Sequence, residues 1–262
     1  MSRKKDESQT DSEKTNTERS RRGSEFFSEQ SQIKNLIVEG FNLIRIRKAE
    51  DAILNFEKVI EIDPKDSIGW YGKGTALFDL GKFDDAISYF NKAIELKSDY
   101  PDVWYMKGLA LKELGKFEDA ILCFDKAIEI SPNLIDIRLN KANTLFNWGK
   151  VDDALSCYDK ALEIDSKNHV TWNDKGVLLL KMKKYKEALA CFDESLKINP
   201  NSAHAYYNKA CMASLQNKKD EALRLLKIAI KLDPYAKKLM KTDSDFDNIR
   251  ESKEFQELLK DE

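Results

Sequence analysis

The sequence predicts an all-α fold made of tandem helix–turn–helix units, and three observations predict it. One alanine column returns every 34 residues: Ala52, Ala86, Ala120, Ala154, Ala188 and Ala222. Apolar residues inside each interval follow a helical period, as at Trp104, Gly108 and Leu111, then Ala120, Phe124, Ala127 and Ile130. Steps of three and four place each set on one face of its own helix. Turn residues stand at fixed places between the two sets, and a fixed period of this length marks a repeat architecture.

Each part of the unit has a physical reason. Gly40, Gly74, Gly108 and Gly176 share position 8, with Ala142 and Ala210 in the remaining units. Phe56, Phe90, Phe124, Tyr158, Phe192 and Leu226 share position 24. Small residues let helix backbones approach, and the aromatics at positions 4 and 24 fill the space beside them. Gly115 can take the left-handed conformation that ends a first helix. Glu118 and Asp119 then meet the positive end of the second helix. Pro132, like Pro64, Pro200 and Pro234, stops the second helix, while Ser98 and Ser166 fill that slot elsewhere. One hairpin cannot bury both of its apolar faces, so hairpins must stack.

Six such units are expected, at residues 33–66, 67–100, 101–134, 135–168, 169–202 and 203–236. Residues 1–32 read as a polar tail, disordered or partly helical, with Phe26 and Phe27 as its apolar feature. Two readings of the tail stay open: it begins a first helix that covers unit 1, or it folds back as a ligand in cis. After Pro234 the pattern changes. Phe246, Ile249, Phe255, Leu258 and Leu259 lie at helical spacings, and residues 237–262 are expected to form helices that cap unit 6.

Composition narrows the function. The 44 basic and 46 acidic side chains nearly cancel, which argues against nucleic-acid binding and against docking on an anionic membrane. Runs such as Val177–Leu180 are far below the roughly 18 residues of a spanning helix, and no signal-peptide core opens the chain. A cytoplasmic location is expected. Cys123, Cys157 and Cys191 stand one unit apart, roughly 10 Å if units stack as packed helices. That exceeds the roughly 7 Å limit for a disulfide, so they read as reduced. No phosphate loop is present, His169 and His204 lack companions at ligand spacing, and paired acids such as Asp84 and Asp85 recur at helix starts. No enzyme, cofactor or metal is expected. Lys73, Lys107, Lys141, Lys175 and Lys209 form a ladder that reads as solvated edge charge on packed stems.

These columns resemble the tetratricopeptide repeat family over residues 33–236. The resemblance implies a right-handed superhelical solenoid whose concave groove is lined by first helices. Departures are Leu36, Ala49 and Val59 in unit 1 and Arg138 at a tryptophan position in unit 4. Family members that seize acidic tails use a Lys/Asn/Asn/Lys/Arg clamp. The best frame here supplies Leu139, Asn143, Asp174, His204 and Asn208, so that function is not carried over.

At 100° per residue, positions 2, 5, 9, 12 and 13 of a first helix face away from positions 4, 8 and 11, taken as buried. Tyr71, Tyr105, Leu109, Asn143, Asn173 and Tyr207 are thereby the candidate peptide-binding residues, the tyrosines for apolar contact and the asparagines for the peptide backbone. Acids at Asp79, Asp102, Glu113 and Asp136 are offset by Lys34, Lys112 and Lys181. The expected function is a scaffold that holds a protein or peptide in its groove, as a monomer or weak homo-oligomer. The rival is an architectural protein that assembles through its solenoid ends.

Overall fold

Position 15 of each unit sets the turn between two helices. In the computed structural model, which describes residues 28–260, Gly81, Gly115 and Gly149 adopt φ of 74°, 71° and 84° there. Arg47, Lys183 and Asn217 hold the same left-handed conformation at 60°, 59° and 60°. The turn lets the next N–H reach back to the first helix. Lys82, Lys116 and Lys150 donate to the carbonyls of Leu77, Leu111 and Leu145 at 2.9, 2.9 and 2.8 Å, which satisfies carbonyls the helix end would leave bare.

The described residues form successive helix pairs in two compact units, divided between Pro132 and Asn133. In the first, α1 spans residues 28–45 and pairs with α2 (Ala49–Ile62). It is followed by α3 (Ser67–Asp79) with α4 (Phe83–Leu96), and α5 (Pro101–Glu113) with α6 (Phe117–Ile130). In the second, α7 (Ile135–Asn147) pairs with α8 (Val151–Ile164), α9 (His169–Lys181) with α10 (Tyr185–Ile198), and α11 (Ala203–Leu215) with α12 (Lys219–Leu232). Then come α13 (Ala236–Met240), a 3-10 turn at Ser244–Phe246, and α14 (Lys253–Leu259). Helix α1 includes residues 28–32, so the end of the segment read as a tail is helical. The readings of Phe26 and Phe27 lie outside the described residues.

Within a pair, the small residue at position 8 lies against the aromatic at position 24. A Cβ added at Gly108 would stand 2.6 Å from Phe124, and one at Gly176 would stand 2.6 Å from Phe192. Ala142 and Ala210 already carry that carbon, and their units place Tyr158 and Leu226 at position 24. All four glycines at position 8 face phenylalanine, so the two columns vary together.

Between pairs the packing differs from expectation. Positions 3 and 10 are buried, at Val103 and Ala110 or at Thr171 and Leu178, while Trp70, Trp104 and Trp172 at position 4 are only half-buried. The first helices α3, α5, α9 and α11 each touch two second helices, their own and the one before. A Cβ at Gly69 would come within 2.7 Å of Val59 in the preceding pair. The buried arc is therefore wider than one stripe. The indoles sit at its edge, where their Nε1–H groups donate to the carbonyls of Pro64, Ser98 and Ser166, each at 2.9 Å. These three bonds, at the same place in their repeats, tie each tryptophan to the loop before it. In α1, positions 3 and 10 are Asn35 and Asn42, both exposed.

The residues after α12 pack on the last pair. Phe246 and Phe255 are fully buried beside Met240 and Ile249, in one core with α11 and α12. Ser214 Oγ donates to Asn248 Oδ1 at 2.6 Å, and Asn248 Nδ2 donates to the Ser214 carbonyl at 2.6 Å. The Arg250 guanidinium donates to the carbonyls of Met240, Lys241 and Asp243, closing the 3-10 turn around one side chain.

Candidate functional site

The first helices present different chemistry in the two units. In the first, Tyr71 on α3 is half-buried among rings, with centroids 5.8 Å from Phe41, 5.2 Å from Tyr100 and 6.2 Å from Phe90. Burial, then Tyr100 and Asp102, hold its hydroxyl well above the usual tyrosine range, so it stays a neutral donor. Tyr105 on α5 is half-buried with its ring 6.0 Å from Phe124. Leu109 follows one turn later, also half-buried. These three candidates form a neutral aromatic and apolar face braced by the core.

In the second unit the three remaining candidates meet different surroundings. Asn143 on α7 is exposed, and its Oδ1 accepts the Tyr158 hydroxyl at 2.5 Å. Asn173 on α9 is 8% exposed. Its Oδ1 accepts from Asn208 Nδ2 at 2.9 Å and its Nδ2 donates to Asp174 Oδ1 at 3.3 Å. It thus joins two side chains instead of standing open. Tyr207 on α11 is also 8% exposed, which corrects the expected exposure of position 5. Its hydroxyl donates to Asp243 Oδ2 at 2.8 Å and its ring meets Phe246 edge-on at 5.6 Å. The residues after α12 cover it, and helical periodicity carries no sign of such a long-range cover. Leu139, at the same position of α7, is buried as well.

Two adjoining cavities mark this face and share Val177. One, about 150 Å³, is lined by Asn143, Tyr158 and Asp174 among others. The next, about 560 Å³, has Leu180 and Leu215 as apolar wall and Lys181, Asn208, Asp243 and Asp245 as polar lining. Burial pushes the Asp174 carboxyl above its usual range, against the Asn173 bond and the His204 charge. The Lys181 ammonium lies 5.2 Å from the Phe146 ring centre. The column that signals this chemistry is position 6, where Gly72 and Met106 give way to Asn140, Asp174 and Asn208.

Cys211, Asp243 and Asp245 bring ligand atoms within 4.8 Å of one another. Their bonding fits a fastening better than a metal site. Asp243 accepts from Tyr207 and, at 3.8 Å, from the Cys211 thiol, and its other oxygen caps the backbone N–H of Asp245. Burial, with the adjacent Asp243 and Asp245, pushes the thiol far above its ordinary value, and a protonated thiol is a poor ligand. All four cysteines are free. His169 is likewise local: its Nε2 lies 3.2 Å from Asn199 Nδ2. The lysine ladder is paired more than solvated. Lys73, Lys175 and Lys209 meet Glu57, Asp159 and Asp193 at 2.8, 2.6 and 2.6 Å, each 16 residues back. No helix among the described residues is long and apolar enough to cross a membrane.

Known proteins share this arrangement. The solved structure of pilF from Pseudomonas aeruginosa aligns at TM-score 0.68 and 17% identity, covering 84% of this chain and 96% of that one. YrrB, described as a TPR protein with an unusual peptide-binding site, aligns at 0.53 and 23%, covering 68% and 92%. The Cut9–Hcn1 hetero-tetramer of the APC/C aligns at 0.63 and 20%, covering 80% of this chain and 42% of that one. Among curated proteins nothing matches. Family models described as Tetratricopeptide repeat match residues 42–101 and 71–135, 135–168 and 169–202, and 191–224. The columns, the paired helices and these matches agree: the chain belongs to the tetratricopeptide repeat family.

Proposed function

We propose that this protein is an adaptor that holds a peptide or protein segment on its first-helix faces. The observation that carries this reading is the set of side chains the core does not consume: half-buried Tyr71, Tyr105 and Leu109 in one unit, and exposed Asn143 and half-buried Asn208 beside the cavities of the other. Tyrosines braced by packed rings lose little freedom on binding, which is what interface anchors need. Amides lining a recess can pair with a peptide backbone. The similarity to YrrB, with its peptide-binding site, and to the Cut9–Hcn1 assembly supports the class of function. The end-to-end rival receives less support. Asn35 and Asn42 put polar groups where other pairs stack, and Phe246 and Phe255 are buried in the chain's own core.

The test is selection of binders from a random peptide library on the full chain, followed by affinity measurement. Tyr105→Ala is expected to weaken a selected peptide about thirtyfold, equivalent to about 2 kcal/mol, with the circular-dichroism melt retained. Binding that ignores Tyr105→Ala and Asn208→Ala alike would sink the proposal.

A further inference from the structure

Two repeat columns reverse charge toward the last second helix. Position 25 is Glu57, Asn91, Asp125, Asp159 and Asp193 in the first five units, then Lys227 in the sixth. Position 29 is glutamate at Glu61, Glu95, Glu129 and Glu163, then Lys197 and Lys231. Where the acid stands at position 25 it serves the ladder, as Glu57, Asp159 and Asp193 do. Lys227 has no such duty.

Around it the fold builds a recess of about 390 Å³ between α12 and the C-terminal residues. Ile230 and Leu258 give it apolar surface, and Lys227, Lys231, Lys237 and Lys260 surround them. Lys237 is engaged, donating to the Lys260 carbonyl at 2.9 Å. Lys227, Lys231 and Lys260 are exposed and form no ion pair among the described residues. Glu257, the acid in the lining, lies 4.0 Å from Lys253. Elsewhere on this unit Lys175, Lys197 and Lys219 pair with Asp159, Glu194 and Glu254.

We propose that this lysine face is a second docking surface, separate from the first-helix faces, for an acidic segment of a partner protein. Unpaired ammonium groups around an apolar floor complement a segment that alternates carboxylates with apolar side chains. Carboxylates would meet Lys227, Lys231 and Lys260, and an apolar side chain would rest on Ile230 and Leu258. The electrostatic contacts are solvent-exposed, so screening weakens them, unlike a neutral tyrosine face.

The experiment uses the full chain and a fluorescent peptide of alternating Glu and Leu, its Gln/Leu counterpart, and vesicles with and without phosphatidylserine. The acidic peptide is expected to bind, to weaken about tenfold or more from about 50 to about 300 mM salt, and to be lost in Lys227→Glu/Lys231→Glu. Tyr105→Ala is expected to leave it unchanged, so failure here and failure of the first-helix reading are distinguishable. Equal binding of the Gln/Leu peptide, or retention by the double variant, overturns the proposal. So does binding confined to anionic vesicles, or a salt-sensitive dimer with no peptide binding, which would make the occupant a second copy.

Discussion

The two units are each built on the same packing columns and differ in what they show outside them. Positions 8, 20 and 24 carry the same kinds of residue in both, because close helix approach leaves no alternative. On the first-helix face, the unit of α1–α6 is aromatic and neutral around Tyr71, Tyr105 and Leu109. The unit of α7–α14 is polar, with Asn143, Asp174, Asn208 and Asp243 beside cavities, and residues after α12 fold over Tyr207. A repeat scaffold thus separates two requirements. Packing columns are held constant by sterics, and face columns are free to differ, so one architecture can offer two chemistries.

The largest expected effect tests the unit that carries the extra segment. Phe255 is fully buried against Phe246, so Phe255→Ala is expected to destabilise by about 3–5 kcal/mol. Hydrogen exchange should then show lost protection in α11–α14 and retained protection in α2–α6. Equal loss in both would mean that the units do not melt separately.

Next comes the packing they share. Gly108→Ala drives a Cβ to 2.6 Å from Phe124 and is expected to cost about 1–3 kcal/mol. Ala142→Gly, in the unit where Tyr158 already faces alanine, should cost only about 1 kcal/mol of helix propensity. A neutral Gly108→Ala in a denaturant melt would contradict the pairing of these columns.

The turns differ more gently. The first unit has Gly81 and Gly115 beside one left-handed non-glycine, Arg47, while the second has Gly149 beside two, Asn217 and Lys183 at φ of 59°. Lys183→Gly is expected to gain about 1 kcal/mol by relieving left-handed strain, and an unchanged melting temperature would remove that account.

The smallest effect depends on pH. Burial raises the Asp174 pKa above its ordinary 3.8. The folded state therefore favours the protonated form, and the associated stability is present below 3.8 and lost as pH rises through the folded value. Asp174→Asn keeps an acceptor for Asn173 and removes the charge. It is expected to be more stable than the parent at pH 7, with the advantage vanishing toward pH 3.8. A gain equal at both pH values would show that charge burial is not the cause.

The sequence by itself determined the period, the pairs and the turns. A 34-residue column of alanine beside glycine and aromatic columns admits one class of packing, and Gly115 at the end of a first helix announces its conformation. Local chemistry suffices for these, since each depends on neighbours within one unit. The tertiary structure alone decided how wide the buried arc is, and so moved the burden from Trp104 to Val103 and Ala110. It also decided which face residues stay open. Tyr207 and Tyr105 occupy the same position of their units, yet Tyr207 is sealed by Asp243 and Phe246, 36 and 39 residues further along. Periodicity places a side chain on a face of its own helix. Whether another part of the chain then covers that face is settled by long-range packing, which no local spacing encodes.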